Sequence, residues 1–582
     1  MTATRRRPVG AELIGDGVDF RVWAPDRKSV SVVIDGSDFP LELENDGHFR
    51  GFVEEARAGT RYRFRLDRDE ETFPDPASRF QPEGPHGPSM VVDPAYPWRD
   101  RTWRGVNPRA LVIYEMHIGT FSREGTWRSA IDHLHSLADL GINLVEVMPV
   151  NEFAGRFGWG YDGVDLWAPT HLYGTPDDFR LFVDSAHALG VGVILDVVYN
   201  HFGPDGCYWK SFAKDYFLER KNEWGDAINF GASGVRELVA ENAGYWIEEF
   251  HLDGLRLDAT QNIDDRCPEH IIAVIQRKAR EAARDRAIVI VAENEPQDVV
   301  LLESYGVDAM WNDDWHHSAM VAATGQHEAY YTDYRGRPQE FVSMAKHGFL
   351  YQGQWYSWQK NNRGTPSRDI ARERFVCFLQ NHDQIANSGT GERIQFRTSP
   401  GRTRALTALL LLGPNTPMLF QGQEFAASAP FLYFADHKPE LAHAVEKGRR
   451  EFMSQFPSIA IEKLPAPHDP STFERCKLDH SEREKHSDAI ALHRDLLRLR
   501  RPTDRVDGAV IGEHALLLRF DDDRLLIVNL GPALTLDIMP EPLLAPPAGH
   551  RWELRWSSEP AALWRIPGES ALLLEAVRHT RS

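Results

Sequence analysis

With 582 residues, 42% of them hydrophobic and 26% charged, the chain has the composition of a soluble globular protein and exceeds what one core usually supports, so roughly two to four domains are expected. A net charge of −20 argues against nucleic acid or an anionic membrane as partner. Four scattered cysteines give neither a zinc ribbon nor a disulfide framework, and Arg5-Arg6-Arg7 has no apolar run behind it, so the cytoplasm is the expected compartment.

Residues from about 9 to 100 read as all-β. Stretches 18–23, 30–34 and 62–66 alternate with period two, and Asp35-Gly36 supplies a turn, which fits a small antiparallel sandwich. The Pro-rich stretch 73–97 is expected to be irregular. From Leu111 the texture changes to strands alternating with helices. Buried strands are expected at 111–115, 144–148, 193–198, 254–259, 288–292, 308–311, 375–379 and 417–420. Between the first two, Ile131, Leu134, Leu137 and Ala138 stand at helical spacing before Gly141. The next helix starts at Thr175, with Pro176 suited to its first position and Asp178 able to complete a capping box. Eight β-α units over some 400 residues favour a (β/α)8 barrel over a doubly wound sheet. Stretches 202–232 and 325–372 are too long for ordinary loops and read as insertions. The tail returns to β texture, with a hairpin expected around Asp521-Asp522-Asp523. The expected domains are a sandwich over 1–100, a barrel over 101–504 and an antiparallel domain over 505–582.

On the strand at 254–259, Arg256 and Asp258 share one face and Leu255 and Leu257 the other. Taken alone, this equally fits a buried structural ion pair. Comparable polar endings recur, however, at residues 196–201, at Glu293, and at His382 and Asp383. In a (β/α)8 barrel the C-terminal strand ends form the active site, so three carboxylates, Asp258, Glu293 and Asp383, converge on one mouth. His201, His382 and these acids could instead ligate a cation, but the His-Glu-x-x-His spacing is absent and Arg256 is poor company for a metal. Aromatic residues crowd the same loops, at Trp159 and Tyr161, Tyr199, Tyr208 and Trp209, and Trp311 to His317. Aromatic faces beside carboxylates, amides and histidines are what sugar rings and their hydroxyls require. Spacing alone says retaining glycosidase or transglycosylase.

Four segments carry a specific resemblance: Asp196-Val197-Val198-Tyr199-Asn200-His201, Gly254 to Ala259, Ala292-Glu293-Asn294, and Asn381-His382-Asp383. In that order they resemble the signature segments of the α-amylase superfamily. Phe20-Arg21-Val22-Trp23-Ala24-Pro25 is similar to the N-terminal sandwich of its branching and debranching members. Tyr114 to Phe121, Trp159 to Val164, Phe202 to Gly206, Trp311 to His317 and Gln380 to Gln384 resemble, more narrowly, the maltooligosyltrehalose trehalohydrolase family. The pattern departs after Glu293, where Asn294-Glu295 stands in place of Ser-Asp, so local substrate contacts there need not follow the family.

The resemblance implies Asp258 as nucleophile, Glu293 as general acid/base and Asp383 as transition-state stabiliser. It implies substrate contacts from Tyr161, His201, Arg256, Asn381 and His382, and places Asp313, Asp314, His316, His317 and Gln384 on the leaving-group side. The substrate would be maltooligosyltrehalose or a related α-glucan, supplied by a maltooligosyltrehalose synthase, with no cofactor and no essential calcium at Asn200. A 1,4-α-glucan branching enzyme and a non-catalytic glucan-binding protein are the alternatives.

Overall fold

The computed structural model describes residues 5–578 apart from 68, 222–224, 537 and 538. Strands before residue 91 form two antiparallel sheets. One runs Gly10–Ile14, Gly17–Trp23, His48–Val53, Glu42–Leu43, and the other Ser37–Pro40, Val30–Ile34, Arg61–Leu66, Thr72–Phe73, with Ser89–Met90 added to Arg61–Leu66. Inward side chains meet between them: the rings of Phe20 and Tyr62 lie 4.9 Å apart, edge to face. Most of the Pro-rich stretch is irregular, as expected.

Eight parallel strands then close a barrel in chain order: Ile113–Met116, Leu144–Val147, Gly192–Val197, Gly254–Leu257, Val289–Ala292, Ala309–Trp311, Phe375–Phe378 and Thr416–Phe420. Period-two alternation sorts their side chains. Ile113, Leu144, Ile194, Val291, Trp311, Phe378 and Met418 fill the barrel, while their neighbours pack outward against helices. Helix Trp127–Leu140 has a Thr126 capping box and ends at Gly141, whose φ of 110° only glycine adopts readily. Helix Pro176–Ala188 has the capping box of Thr175 and Asp178.

Both insertions have structure of their own. The first holds a short helix, Trp209–Phe212, and a hairpin of Phe217–Lys221 with Asp226–Ile228, whose turn lies partly outside the described residues. The second holds helix Pro338–His347 and a hairpin of Gln354–Tyr356 with Asn361–Arg363. Beyond the barrel, five antiparallel strands form the C-terminal sheet in the order Val506–Gly512, Ala515–Phe520, Arg524–Asn529, Ser570–Arg578, His550–Ser557. Its first strand packs beside helix Pro338–His347, with Lys346 paired to Asp507 at 2.7 Å. Among the described residues no helix is long and apolar enough to cross a membrane.

Candidate active site

The fourth strand delivers Arg256 into the barrel, fully buried, with its guanidinium 4.2 Å from the centre of the Trp311 ring. One nitrogen, Nη1, reaches both oxygens of Asp196 at 2.9 Å and Oδ1 of Asp258 at 2.6 Å, and Nη2 lies 2.9 Å from Oε2 of Glu293. A single arginine therefore spans the carboxyls from the ends of strands three, four and five. Asn200 holds Asp258 from the other side, donating from Nδ2 to Oδ2 at 2.9 Å and to its backbone carbonyl at 2.9 Å. Ala259, in the left-handed region at φ 39°, turns its backbone N–H onto Oε2 of Glu293 at 2.9 Å.

These contacts separate the two carboxyls. Burial works against the charge on Asp258, but Arg256, the Asn200 amide and His201 outweigh it and hold the carboxyl below its ordinary value. Burial pushes Glu293 up to about 8, against the pull of Arg256, with Asp258, Asp383 and Asp313 adding repulsion. Desolvation, ahead of repulsion by Asp258, is thus the leading reason that Glu293 stays protonated. A raised acid costs stability as pH climbs, because the unfolded chain releases that proton near the ordinary glutamate value while the folded chain retains it until about 8. Glu293→Gln is therefore expected to be more stable than wild type at pH 8, by on the order of 4 kcal/mol, with the gain vanishing near pH 4. Melting curves at both pH values test this, and an equal shift at both would contradict it.

Asp383, with a side chain 43% exposed, opens to solvent at the end of strand seven. His382 beside it is buried, its Nε2 2.9 Å from the Tyr161 hydroxyl and 3.4 Å from Oδ2 of Asp383. The Tyr161 ring stacks on this imidazole and its hydroxyl donates to Oδ2 of Asp196 at 2.7 Å. His201 accompanies Asn200, with Nε2 2.9 Å from the carbonyl of Tyr161. Asp258, Glu293, Asp383, Arg256, His382, Tyr161 and His201 thus share one mouth.

Four residues expected to touch sugar are occupied otherwise. Asp314 is wholly buried, accepting from Arg363 Nε at 3.0 Å, from the Tyr334 hydroxyl at 2.6 Å and from the backbone of Leu350 and Tyr351. His316 and His317 lie beneath the surface, their rings stacked on Phe378 and Tyr330 respectively, and burial drives His316 down to about 3. Asn381 caps helix His382–Ala386, accepting from the Gln384 backbone at 2.8 Å. These four shape the wall behind the site. Asp313 and Gln384 remain half-buried at its rim: Asp313 is raised to about 7 by burial, and Gln384 accepts from Tyr330 at 2.8 Å.

Sequence reasoning missed the rest of the rim. Glu295 takes Arg363 and Gln359 from the second insertion, which ties the hairpin there to the loop following Glu293. Nothing local in the sequence marks that pairing. It also passed over Glu115, whose signal was available: a charge two residues beyond inward-facing Ile113. As for metals, the Asn200 amide is taken up by Asp258 and His201. Among the described residues the group spaced to hold an ion is Glu44, Asp46 and His48 in the N-terminal sandwich, where Arg21 already engages both carboxylates.

The chain is similar to known proteins. The family model described as alpha amylase, catalytic domain, matches residues 99–223 and 202–451, and a domain of unknown function matches 503–573. A malto-oligosyltrehalose trehalohydrolase of Deinococcus radiodurans is 40% identical over 497 residues, covering 84% of this chain and 81% of that protein. One from Saccharolobus solfataricus is 38% identical over 503 residues, covering 84% and 86%. A crystal structure described as "Putative alpha Amylase from Salmonella typhimurium" superposes with a TM-score of 0.90 at 36% identity, covering 98% of this chain and 100% of that one. Relatedness at this level, over more than four-fifths of the chain, makes it a member of the malto-oligosyltrehalose trehalohydrolases, within the alpha-amylase superfamily of glycoside hydrolases.

Proposed function

We propose that the protein is a retaining α-glucan hydrolase that cuts the α-1,4 bond next to the terminal trehalose of maltooligosyltrehalose and releases trehalose. The observation that carries the chemistry is the shared arginine. Arg256 touches Asp258 with one nitrogen and Glu293 with the other, so both carboxyls lie within the span of one guanidinium. Retaining glycosidases keep the two carboxyls about 5–5.5 Å apart, and two acids held against one guanidinium are compatible with that spacing.

In this reading Asp258, held ionised, attacks the anomeric carbon. Glu293, held protonated, gives its proton to the leaving oxygen. Glycosylation of Asp258 removes a negative charge beside Glu293, which then becomes the base that activates water. Asp383 and His382 grip the hydroxyls of the distorted ring while Tyr161 supports its face. Asp313 and Gln384, at the rim near Glu293, face the leaving group.

The trehalose end carries the specificity. Trehalose has no reducing end and a bent 1,1-linkage, so polar groups placed for it would go unpaired against linear maltose, at roughly 1–3 kcal/mol for each buried group. Two such contacts give a preference of about a hundredfold. The test compares kcat/KM for maltotriosyltrehalose and maltopentaose, with identification of the released sugar. Trehalose and a ratio of about 100 or more are expected. A ratio near one with maltose released would make the protein a general amylase. Chain transfer on amylose without new reducing ends would make it a branching transferase.

We further place it after an enzyme that builds the terminal trehalose linkage, a maltooligosyltrehalose synthase, and in the cytoplasm. Its four free cysteines suit a reducing compartment.

A further inference from the structure

Beneath the mouth the barrel encloses two acids that the proposed reaction does not use. Glu115 on strand one and Glu146 on strand two are register partners, each only 1% exposed, and each two residues beyond an inward-facing side chain. Their surroundings differ. Neither carboxyl oxygen of Glu146 has a hydrogen-bond partner among the described residues, and burial raises this acid well above the ordinary range, so it is neutral. Glu115 takes hold of His382 twice: Oε1 lies 2.5 Å from Nδ1, and Oε2 accepts the backbone N–H at 3.2 Å.

The hydrogen bonds around His382 fix its protons. Glu115, which already accepts a backbone N–H, accepts from Nδ1 as well. On the other side, the Tyr161 hydroxyl commits its own proton to Asp196, so its oxygen is left to accept from Nε2. With Glu115 and the Tyr161 oxygen both accepting, each ring nitrogen donates and the ring is an imidazolium, an assignment that requires Asp196, raised to about 7 by burial, to be ionised. We propose that Glu115 is a positioning residue: from inside the barrel it holds His382 cationic and oriented, with Nε2 beside Asp383 at the sugar. The proposal rests on the reading of Asp258, Glu293 and Asp383 as the catalytic trio.

The other groups facing His382 leave this role to Glu115. Arg256 on strand four opposes a second cation, His117 beyond strand one is neutral because burial holds it near 4, and Glu146 on strand two is neutral. Asp196 on strand three is spoken for by Arg256 and Tyr161. Asp383 also favours the charged ring, but it is half open to solvent and is read as a substrate contact, which leaves Glu115 as the anion that holds the ring from inside the barrel. Although burial disfavours the charged ring, Asp383 and Glu115 together carry it up to about 9.

The test sets Glu115→Gln against Glu146→Gln, the same change at the same depth, with kcat and KM for maltotriosyltrehalose measured from pH 5 to 9. Glu115→Gln is expected to lower kcat at least about tenfold and to draw the alkaline limb, set by Glu293 at about 8 in the wild type, down by about one unit, as His382 falls from about 9 to below Glu293, toward an ordinary histidine. Glu115→Asp, which keeps the charge, should restore the limb, and Glu146→Gln should keep the wild-type profile. An unmoved limb in Glu115→Gln, or equal shifts in both glutamine variants, overturns the proposal. Should Glu115→Gln fail to fold, wild-type protein labelled with 15N-histidine decides. The resonance that disappears in His382→Gln must report two protonated ring nitrogens at pH 8, and a neutral ring there overturns the proposal. Full activity in Asp258→Asn would instead sink the trio, whatever the charge on His382.

Discussion

Asp258→Asn and Glu293→Gln are each expected to lower kcat by at least about three orders of magnitude while the protein still melts cooperatively. Asp258 is the one carboxyl at the mouth that its neighbours hold below the ordinary range, and an amide in its place cannot form the glycosyl ester. Glu293 is raised to about 8 and is the acid placed to donate, a step that an amide at the same position cannot perform. The two variants should also fail differently. A substrate whose leaving group needs no proton, such as an activated aryl or fluoride glycoside, ought to recover much of the first step in Glu293→Gln and none of it in Asp258→Asn. Rates close to wild type in either variant, on purified folded protein, would remove that residue from the mechanism.

Arg256→Leu is expected to have the second large effect, on stability and pH dependence together. Taking one partner from a buried ion pair typically costs about 3–5 kcal/mol, because the charge left behind stays unsolvated. Arg256 leaves three carboxyls behind, those of Asp196, Asp258 and Glu293. The loss should be large at pH 7 and smaller at pH 5, where Asp196 and Asp258 can take up protons; Glu293 already holds its own at pH 7. Activity should shift as well as fall. Without the cation, Asp258 ionises only at higher pH, so the acid limb moves up. Glu293 loses the charge that pulls it down, so the alkaline limb moves up too. A bell-shaped profile that keeps both limbs in place would show that Arg256 does not divide the protons between the two acids.

Much of this was legible in the sequence, and the reasons are specific. Barrel strands announced themselves because strands buried on both faces read as short apolar runs, and the helices between carried caps such as Thr175 with Asp178. The meeting of polar groups at one mouth was legible because polar endings recur on several strands; Arg256 with Asp258, taken alone, equally fits a structural ion pair. The polar run Asn312 to His317 was misleading, and helix geometry explains why. Successive residues on helix Asp313–Thr324 point about 100° apart, so Asp313 reaches the mouth while Asp314 turns into the protein. What neutralises Asp314 is Arg363, 49 residues further on, and no local pattern reports a partner at that distance. The capping role of Asn381 was legible too. Asn followed by Gln three residues later, at a helix start, has the form of a capping box.

The C-terminal sheet stands far from the chemistry in sequence, yet it bears on one wall of the cleft. Its first strand lies along helix Pro338–His347, with Lys346 bound to Asp507 and Arg337 to Glu513. The same insertion continues into the hairpin whose Gln359 and Arg363 grip Glu295, two residues past Glu293. Tail, helix, hairpin and acid-bearing loop form one mechanical train. The tail thus borders, through the insertion, the loop that follows Glu293. A chimaera that keeps the barrel intact but borrows a tail lacking the acids at 507 and 513 would lose two exposed ion pairs to that insertion, worth at most about 1 kcal/mol each.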